Sequence, residues 1–146
     1  MALACPRDAT PLTLGKEHGI EVDRCPTCEG AWYDFEELVA LEATIADDEQ
    51  RAGTVEYAQR AGEIACPVCG QPMRAFNYRA YNLELDACPG EHGFWLDAGE
   101  SNRVRDIMKE RVSGLRRAGS AQLSWHKAKG GSGPGVIDQI KNLFRR

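Results

Sequence analysis

The residues of this chain best suited to chemistry are six cysteines, which recur in short turns along the first 90 of its 146 residues. The clearest turn is Cys66-Pro-Val-Cys69-Gly70, where the Cys-x-x-Cys spacing directs two thiolates at one point and the glycine permits the backbone twist that follows. We call such a cysteine turn a knuckle. Two knuckles brought together by a hairpin supply four ligands, as in tetrahedral zinc sites. Disulfides are the less favoured alternative for this spacing.

The second half of the chain predicts a site of three thiolates and one imidazole. Cys66 and Cys69 form the first knuckle, and Cys88 opens the second. The position that would complete the second knuckle is Glu91, but His92 stands beside it. Because three thiolates otherwise lack a fourth ligand, His92 is assigned to the site. The alternative is a solvated turn histidine without a metal.

The first half predicts a site of three thiolates and one carboxylate. Its thiols are Cys5, Cys25 and Cys28, and Asp8 stands where the other half has a second thiol. A carboxylate oxygen is a less common zinc ligand. The rival fourth ligand is His18, although a hairpin would place it at the turn, far from the knuckles. Water, or no fourth ligand, is the third option.

Both sites are predicted to hold structural Zn²⁺, one ion each. Rubredoxin-like iron sites use four thiolates, and neither half of the chain supplies four. Four protein ligands also leave no open position for a catalytic water. The sequence carries no P-loop, Gly-x-Ser-x-Gly or His-Glu-x-x-His motif, so we expect a protein that is not an enzyme.

The two halves are copies of one unit. Ala4–Asp8 matches Ala65–Cys69 at an offset of 61 residues, and Ile20–Pro26 matches Leu83–Pro89 at an offset of 63. Between its knuckles each copy alternates apolar and polar residues, which predicts a β-hairpin. After the second knuckle each copy has an Asp-x-x-Glu spacing typical of a helix start, followed by a helical apolar pattern.

The predicted fold is therefore small α+β, with two tandem zinc ribbons that are each followed by a helix. Aromatic residues make up only 8% of the chain and glycines number 15, so we expect no large continuous core and assign stability to the metal. Gly119 is expected to end the second helix. The predicted segments are the first ribbon with its helix at 1–46, a linker with some helix at 47–63, the second ribbon with its helix at 64–118, a flexible Gly-rich linker at 119–135 and an amphipathic helix at 136–146.

Charge is divided unevenly along the chain. Residues 1–100 contain 7 Lys/Arg and 19 Asp/Glu, whereas residues 101–146 contain 11 Lys/Arg and 3 Asp/Glu. The ribbons should therefore repel phosphate, and any contact with nucleic acid would fall to the basic tail. Contact between the tail and the acidic half of the same chain is an equal alternative.

The last eleven residues carry an apolar stripe at helical spacing. So short a helix is unstable alone, which favours docking into a groove, in a partner protein or in the same chain. A membrane surface and a frayed terminus without function are the alternatives. The residues predicted to contact a partner are Val136, Ile137, Ile140, Leu143 and Phe144.

The second knuckles resemble those of bacterial transcription-factor-IIB-like zinc-ribbon proteins. Cys25-Pro-Thr-Cys-Glu-Gly-Ala-Trp-Tyr-Asp34 has the Cys-Pro-x-Cys-x-Gly-x-Trp-hydrophobic-Asp pattern of that family, and Cys88–Asp97 is a variant of it. The resemblance covers about 85 residues and implies zinc binding and a ribbon fold, but little about activity. The chain departs from the four-cysteine pattern at Asp8 and Glu91. We expect Trp32 and Trp95 to pack over the knuckles and helices.

These observations predict a zinc-binding adaptor that contacts a protein partner through its C-terminal helix, with the resemblance suggesting a role around the transcription machinery. Without a signal segment or an apolar run of about 18 residues, it is expected in the cytoplasm with no transmembrane segment. One alternative is a nucleic-acid-binding protein that uses the basic tail. Another is a zinc or redox sensor in which the Asp8 site releases its metal. The sequence leaves the partner and the oligomeric state open.

Overall fold

The computed structural model describes residues 3–128. The predicted C-terminal helix at 136–146 lies outside the described residues, with all five of the residues predicted to contact a partner. They are Val136, Ile137, Ile140, Leu143 and Phe144.

Each copy of the repeat folds as a hairpin, a short third strand and a helix, as predicted for a small α+β ribbon protein. The first copy consists of β1 (Thr13–Glu17), β2 (Ile20–Arg24), β3 (Ala31–Tyr33) and α1 (Phe35–Ala43). A short helix, α2 (Asp48–Arg51), follows it. An additional strand, β4 (Glu56–Ala65), leads into the second copy, which consists of β5 (Pro72–Tyr78), β6 (Glu84–Ala87), β7 (Phe94–Leu96) and α3 (Glu100–Ala128).

The first hairpin turns at His18 and Gly19. Glu17 pairs with Ile20, so the loop has two residues, and these have φ values of 54° and 82°. Two successive positive φ values match the twist of antiparallel strands and are readily adopted by glycine. The turn therefore places His18 at the tip of the hairpin.

The structure differs from the predicted linker at 47–63, because β4 begins at Glu56 within it. β4 lies at the edge of the sheet and pairs only with β5, with two irregularities in register. Most of its side chains are exposed, and only Ile64 is buried. A solvated edge strand needs no apolar alternation, so the pattern that reveals a half-buried strand is missing from its sequence.

The two copies join in one antiparallel sheet of seven strands, ordered β1-β2-β3-β7-β6-β5-β4. The joint is the pair β3 and β7, in which Trp32 lies opposite Trp95, with further pairs on both sides. Trp32 and Trp95 occupy the same position of the repeat, so the pairing relates the copies by an approximate two-fold axis. The described chain up to Val112 accordingly forms one compact unit, which we call the first unit, and a second unit begins at Ser113.

The expectation of no large continuous core is wrong. One apolar cluster contains residues of both copies and of the helices α1 and α3. Tyr33 and Leu41 of the first copy and Phe76, Leu85 and Met108 of the second are fully buried in it. Because the β3–β7 pairing places the inner faces of both hairpins side by side, two small apolar faces become one larger interior.

An ion pair is buried in the first unit. The Arg79 Nε donates to Glu42 Oε2 at 3.0 Å, and the hydroxyl of Tyr78 donates to the same oxygen. Burial and the neighbouring carboxylate raise the pKa of Tyr78, so the phenol stays a donor. A second guanidinium nitrogen of Arg79 donates to the Arg51 carbonyl at 2.7 Å. These bonds fix α1 and α2 to the turn of the second hairpin.

Helix α3, the helix of the second copy, continues past Gly119 to Ala128, contrary to the expectation that this glycine ends it. Glycine inside a helix costs about 1 kcal/mol relative to alanine, but it keeps its N–H and causes no clash. A single glycine therefore weakens a helix without breaking it. Among the described residues, no helix is both long and apolar enough to cross a membrane.

Candidate metal centres

The second copy brings its four predicted ligands together. Cys69 Sγ lies 3.5 Å from Cys88 Sγ, and His92 Nδ1 lies 3.3 Å from the same sulfur. With Cys66, these side chains offer four donor atoms that all lie within 4.8 Å of one another. We call this group the Cys₃His centre.

The first copy does the same with a carboxylate. Cys5 Sγ lies 3.6 Å from Cys28 Sγ, and Asp8 Oδ1 lies 3.6 Å from Cys25 Sγ. These four donors also lie within 4.8 Å of one another and form the Cys₃Asp centre. The rival ligand His18 is not part of it. Its ring nitrogen Nδ1 lies 3.3 Å from the guanidinium of Arg105 instead.

Backbone hydrogen bonds hold the knuckles in shape. In the first knuckle of the second copy, Cys66 N–H donates to the Gln71 carbonyl and Gly70 N–H donates to the Cys66 carbonyl, both at 2.8 Å. Gly70 adopts a φ of 75°, as expected of the glycine there. The Val68 N–H also points at Cys66 Sγ, at 3.3 Å. N–H groups directed at sulfur favour the thiolate form that binds a metal.

The shift from Glu91 to His92 has a local cause. In the first copy Glu29, four residues after Cys25, adopts the positive φ and donates its N–H to the carbonyl of that cysteine. In the second copy Glu91, three residues after Cys88, takes this role with a φ of 62°. Both knuckles close on the glycine five residues after the cysteine, but the positive φ comes one residue earlier in the second copy. The ligand accordingly follows that residue, at His92, whereas in the first copy it precedes it, at Cys28.

Both donor sets fit zinc. A tetrahedral site with Zn–S bonds of about 2.3 Å has sulfurs about 3.8 Å apart, close to the distances between paired thiols in both centres. None of the six cysteines forms a disulfide. Three thiolates with one imidazole or carboxylate are donors that zinc accepts. The two centres therefore fit two structural zinc ions, which would stabilise the fold by clamping the knuckles of each ribbon.

The thiols differ in their affinity for protons. Burial raises the pKa of Cys5 to about 12 and that of Cys66 to about 11. Burial acts in the same direction on Cys88, but hydrogen bonds from the backbone and ring of His92 and from the Gly90 N–H outweigh it and lower the pKa to about 6. Each centre thus contains a thiol that keeps its proton at neutral pH until a metal displaces it.

The carboxylate ligand is preorganised in its ionised form. The Thr10 backbone N–H donates to Asp8 Oδ1 at 3.0 Å and lowers the pKa of Asp8. Asp8 is exposed, whereas Cys5 and Cys25 are buried. The Cys₃Asp centre is therefore open to solvent on its carboxylate side.

Replacing Asp8 by alanine should weaken zinc binding at the Cys₃Asp centre by about 100-fold or more, since loss of a hydrogen-bonding neighbour of a ligand alone costs 10–100-fold. Competition with a chromophoric chelator measures this, and half of the bound zinc should be released at lower chelator concentration. His18→Ala is the matched control and should release zinc like the unmodified protein. A weaker site in His18→Ala with an unchanged one in Asp8→Ala would make His18 the ligand.

The indoles of the two copies pack over the knuckles in a second apolar cluster. Trp32 and Trp95 are buried there among cysteines of both centres. Each indole lies against a glycine of the other copy. A Cβ on Gly93 would lie 2.9 Å from Trp32 Cζ2, and one on Gly30 would lie 3.0 Å from Trp95 Cε2. The Gly-x-Trp spacing therefore serves the joint between the copies.

One contact across the joint was not predicted by the repeat. The Arg7 guanidinium, between the ligands Cys5 and Asp8, donates to both carboxylate oxygens of Asp97, with Nη2 at 2.7 Å. The Trp95 indole N–H donates to the same carboxylate at 3.0 Å. The second copy has Val68 in the position of Arg7, so the repeat gave no signal for this bridge.

Because its carboxylate is bound to Arg7, Asp97 does not cap α3 with its side chain. Its backbone N–H donates to Glu100 Oε2 at 2.7 Å, which places a second carboxylate nearby. Burial, and then the charge of Asp97, raise the pKa of Glu100 to about 7 against the hydrogen bond, which lowers it. The ionised carboxylate thus destabilises the folded state.

Glu100→Gln should therefore stabilise the zinc-loaded protein at pH 8, by about 1–3 kcal/mol. A raised carboxyl pKa means that stability falls as pH rises from about 4.5 to about 7. The gain should be complete above pH 7 and smaller at pH 6. Urea unfolding at both pH values measures the gain in stability. Glu36→Gln is the control, because Glu36 is an exposed carboxylate on α1. An equal gain at both pH values would contradict the assignment.

Paired knuckles on hairpins with four ligands each define the class: this is a zinc-binding protein with two tandem zinc ribbons. Residues 4–44 and 65–105 match the model of the transcription factor zinc-finger family, the TFIIB-type zinc ribbon, and the chain belongs to that family. Each match begins one residue before the first cysteine of a centre. Neither a curated protein nor a solved structure matches the chain significantly. Zinc ribbons of this family are generally non-catalytic.

Proposed function

We propose that this protein is a non-catalytic adaptor whose zinc ribbons form a rigid platform and whose C-terminal segment recruits a protein partner. The observation that carries the proposal is that both centres supply a complete set of four protein ligands, although Asp8 of the Cys₃Asp centre is exposed to solvent. Each places four protein donors around one point, so a bound zinc ion has no open position for water or substrate. A closed zinc site serves folding, and function then falls to the surfaces that the fold presents.

The cellular setting is part of the proposal. Six cysteines that serve as metal ligands favour a reducing compartment, and we place the protein in the cytoplasm. The family description favours a partner in the transcription machinery. The proposed location follows from thiol chemistry and the proposed partner from the family, and neither depends on the C-terminal segment.

Support for the recruiting segment comes from its sequence. Five apolar residues fall on one face of an eleven-residue segment after a Gly-rich stretch at 130–135. Such a segment is too short to be helical alone, so its helix forms with the energy of binding. A tethered helix of this kind binds in the groove of a partner.

The test is affinity purification with the full zinc-loaded chain as bait, followed by mass spectrometry of bound proteins. Ile140→Ser and Phe144→Ser should each abolish the partners that the unmodified chain retains, because each removes a side chain from the apolar stripe. Asn142→Ser, off that stripe, is the matched control and should retain them. Specific partners that survive both stripe substitutions would move the function onto the ribbons.

A second candidate function is nucleic-acid binding through the basic tail, favoured by the 11 Lys/Arg and 3 Asp/Glu of residues 101–146. Such binding would fall steeply with rising salt, because each neutralised phosphate releases a counterion. Partner binding through the apolar stripe would change little over the same range. Fluorescence anisotropy with labelled DNA and RNA at several salt concentrations distinguishes the two.

A further inference from the structure

Helix α1 exposes apolar side chains on its outer face. It buries Leu38 and Leu41, while Phe35 is 39% exposed and Val39 is 48% exposed one turn later. Ala40 and Ala43 continue the exposed face. We call Phe35, Val39, Ala40 and Ala43 the α1 stripe. Its length, two helical turns, suits contact with another helix.

The fold does not require this stripe. By the offset of 63 residues, the equivalent positions of the second copy hold Ala98, in the turn before α3, and Asn102, Arg103 and Asp106 on α3, all of which are also exposed. The two helices pack in the same way, since Leu41 of α1 and its equivalent Val104 of α3 are both fully buried. The same solvent-facing positions are thus apolar in the first copy and largely polar in the second. Phe35 contacts Phe94 edge to face, with ring centroids 4.8 Å apart, but Val39 and part of Phe35 stay uncovered, and such an exposed apolar face indicates a binding surface.

The surroundings of the stripe carry more carboxylates than cations. Arg105 donates to the hydroxyl of Thr44, the C-cap of α1, at 3.1 Å, and Arg51 pairs with Asp48. No lysine or arginine occurs between Arg24 and Arg51 in the sequence. Exposed carboxylates lie at both ends of α1 and beside the stripe. They are Asp34, Glu36, Asp47, Asp48 and Glu49.

We propose that the α1 stripe is a docking surface for a basic amphipathic helix of a partner protein. Apolar residues of that helix would cover Phe35 and Val39, and its lysines or arginines would face the acidic rim. A second copy of this chain is the poorer occupant, because two α1 stripes in contact would bring like charges together. The inference rests on the proposed adaptor function, to which it adds a second binding surface besides the tail.

The experiment uses the full zinc-loaded chain and two short synthetic amphipathic helices. One carries leucine on one face and lysine on the other, and the second has glutamate in place of every lysine. Each peptide is labelled with a fluorophore and titrated with the chain, and its fluorescence anisotropy is measured. The lysine peptide should show saturable binding, and the glutamate peptide should show none. Equal binding of the glutamate peptide, or no binding of either, would overturn the proposal.

Substitutions then locate the site. Phe35→Ala with Val39→Asn puts the equivalent residues of the second copy on α1 and should weaken binding of the lysine peptide about tenfold or more, since it removes two apolar contacts. Ala40→Arg does not touch the edge-to-face contact of Phe35 with Phe94, and should weaken binding by placing a cation in the stripe. Leu14→Asn is the matched control for non-specific hydrophobic binding, because Leu14 lies on β1 and is 71% exposed. This variant should bind the lysine peptide as the unmodified chain does.

Further controls distinguish binding at the α1 stripe from misfolding, from self-association and from binding by the tail. Zinc content and far-UV circular dichroism of each variant show that the fold persists. Unchanged peptide binding in both stripe variants would overturn the proposal, as would self-association of the chain that these variants abolish. The tail variants Ile140→Ser and Phe144→Ser should bind the lysine peptide normally. Peptide binding therefore tests the α1 stripe, whereas loss of partners in affinity purification tests the tail, and the two proposals can fail separately.

Discussion

Replacing Cys66 by serine is expected to unfold the whole first unit, not the second ribbon alone. Structural zinc contributes about 10–16 kcal/mol of apparent binding free energy in small ribbons, which matches or exceeds the stability of a typical domain. Both copies share the seven-stranded sheet and the central apolar cluster. The first copy cannot keep Tyr33 buried once Phe76 and Leu85 of the second copy leave that cluster.

Two measurements check the Cys66→Ser result. Bound zinc per chain should fall from two to fewer than one, and the near-ultraviolet circular dichroism of the buried indoles should be lost. Val68→Ser is the matched control, because Val68 lies in the same knuckle, is exposed and is not a ligand. It should keep two zinc ions and the native spectrum. A Cys66→Ser protein that keeps one zinc and a folded first ribbon would show that the copies fold independently.

Gly93→Ala should destabilise the zinc-loaded protein by about 3 kcal/mol or more. A Cβ at this position would lie 2.9 Å from Trp32 Cζ2 and closer still to the carbonyl oxygen of Tyr33, which is backbone and cannot rotate away. Gly93 also has a φ of 154°, which side chains seldom adopt. Overpacking costs about 1–3 kcal/mol and backbone strain a similar amount. The substitution acts at the joint between the copies.

Urea unfolding with zinc in excess measures the effect of Gly93→Ala. Gly114→Ala on α3 is the matched control, since only the far end of the Arg117 side chain comes near, at 4.0 Å. Alanine favours the helix there, so we expect no loss of stability. A Gly93→Ala protein as stable as the unmodified one would mean that Trp32 can move aside, and the close contact would then not hold the copies together.

Together these two predictions assign different tasks to metal and core. The zinc ions would hold four knuckles in shape, two in each copy. In the first copy these knuckles fix the ends of strands only three to five residues long. The shared apolar cluster then holds the two copies together. Loss of the metal or of the shared cluster is therefore expected to lower the stability strongly, because each keeps in place the strands on which the other depends.

Much of the fold was determined by the sequence itself. The hairpins follow from alternation within a few residues, and the capping box of α1 follows from Asp34 and Glu37. There the Glu37 N–H donates to the Asp34 carboxylate at 2.7 Å, and the Asp34 N–H donates to Glu37 at 2.9 Å. Zinc binding and the ribbon fold were also predictable, from the spacing of the ligands. Ligand spacing within a knuckle and the cap of a helix are local, and local geometry can be read from residues close in sequence.

Only the tertiary structure decided how the two copies are joined. The strands β3 and β7 have three residues each, too few to show a pattern, and they pair across more than 60 residues of chain. The side chain of Asp97 likewise leaves the capping position that Asp34 holds, because Arg7 of the other copy reaches it. The edge strand β4 and the single shared core follow from the same joint. Pairings between distant segments depend on which surfaces meet once the local units have formed, and no short stretch of sequence contains that information.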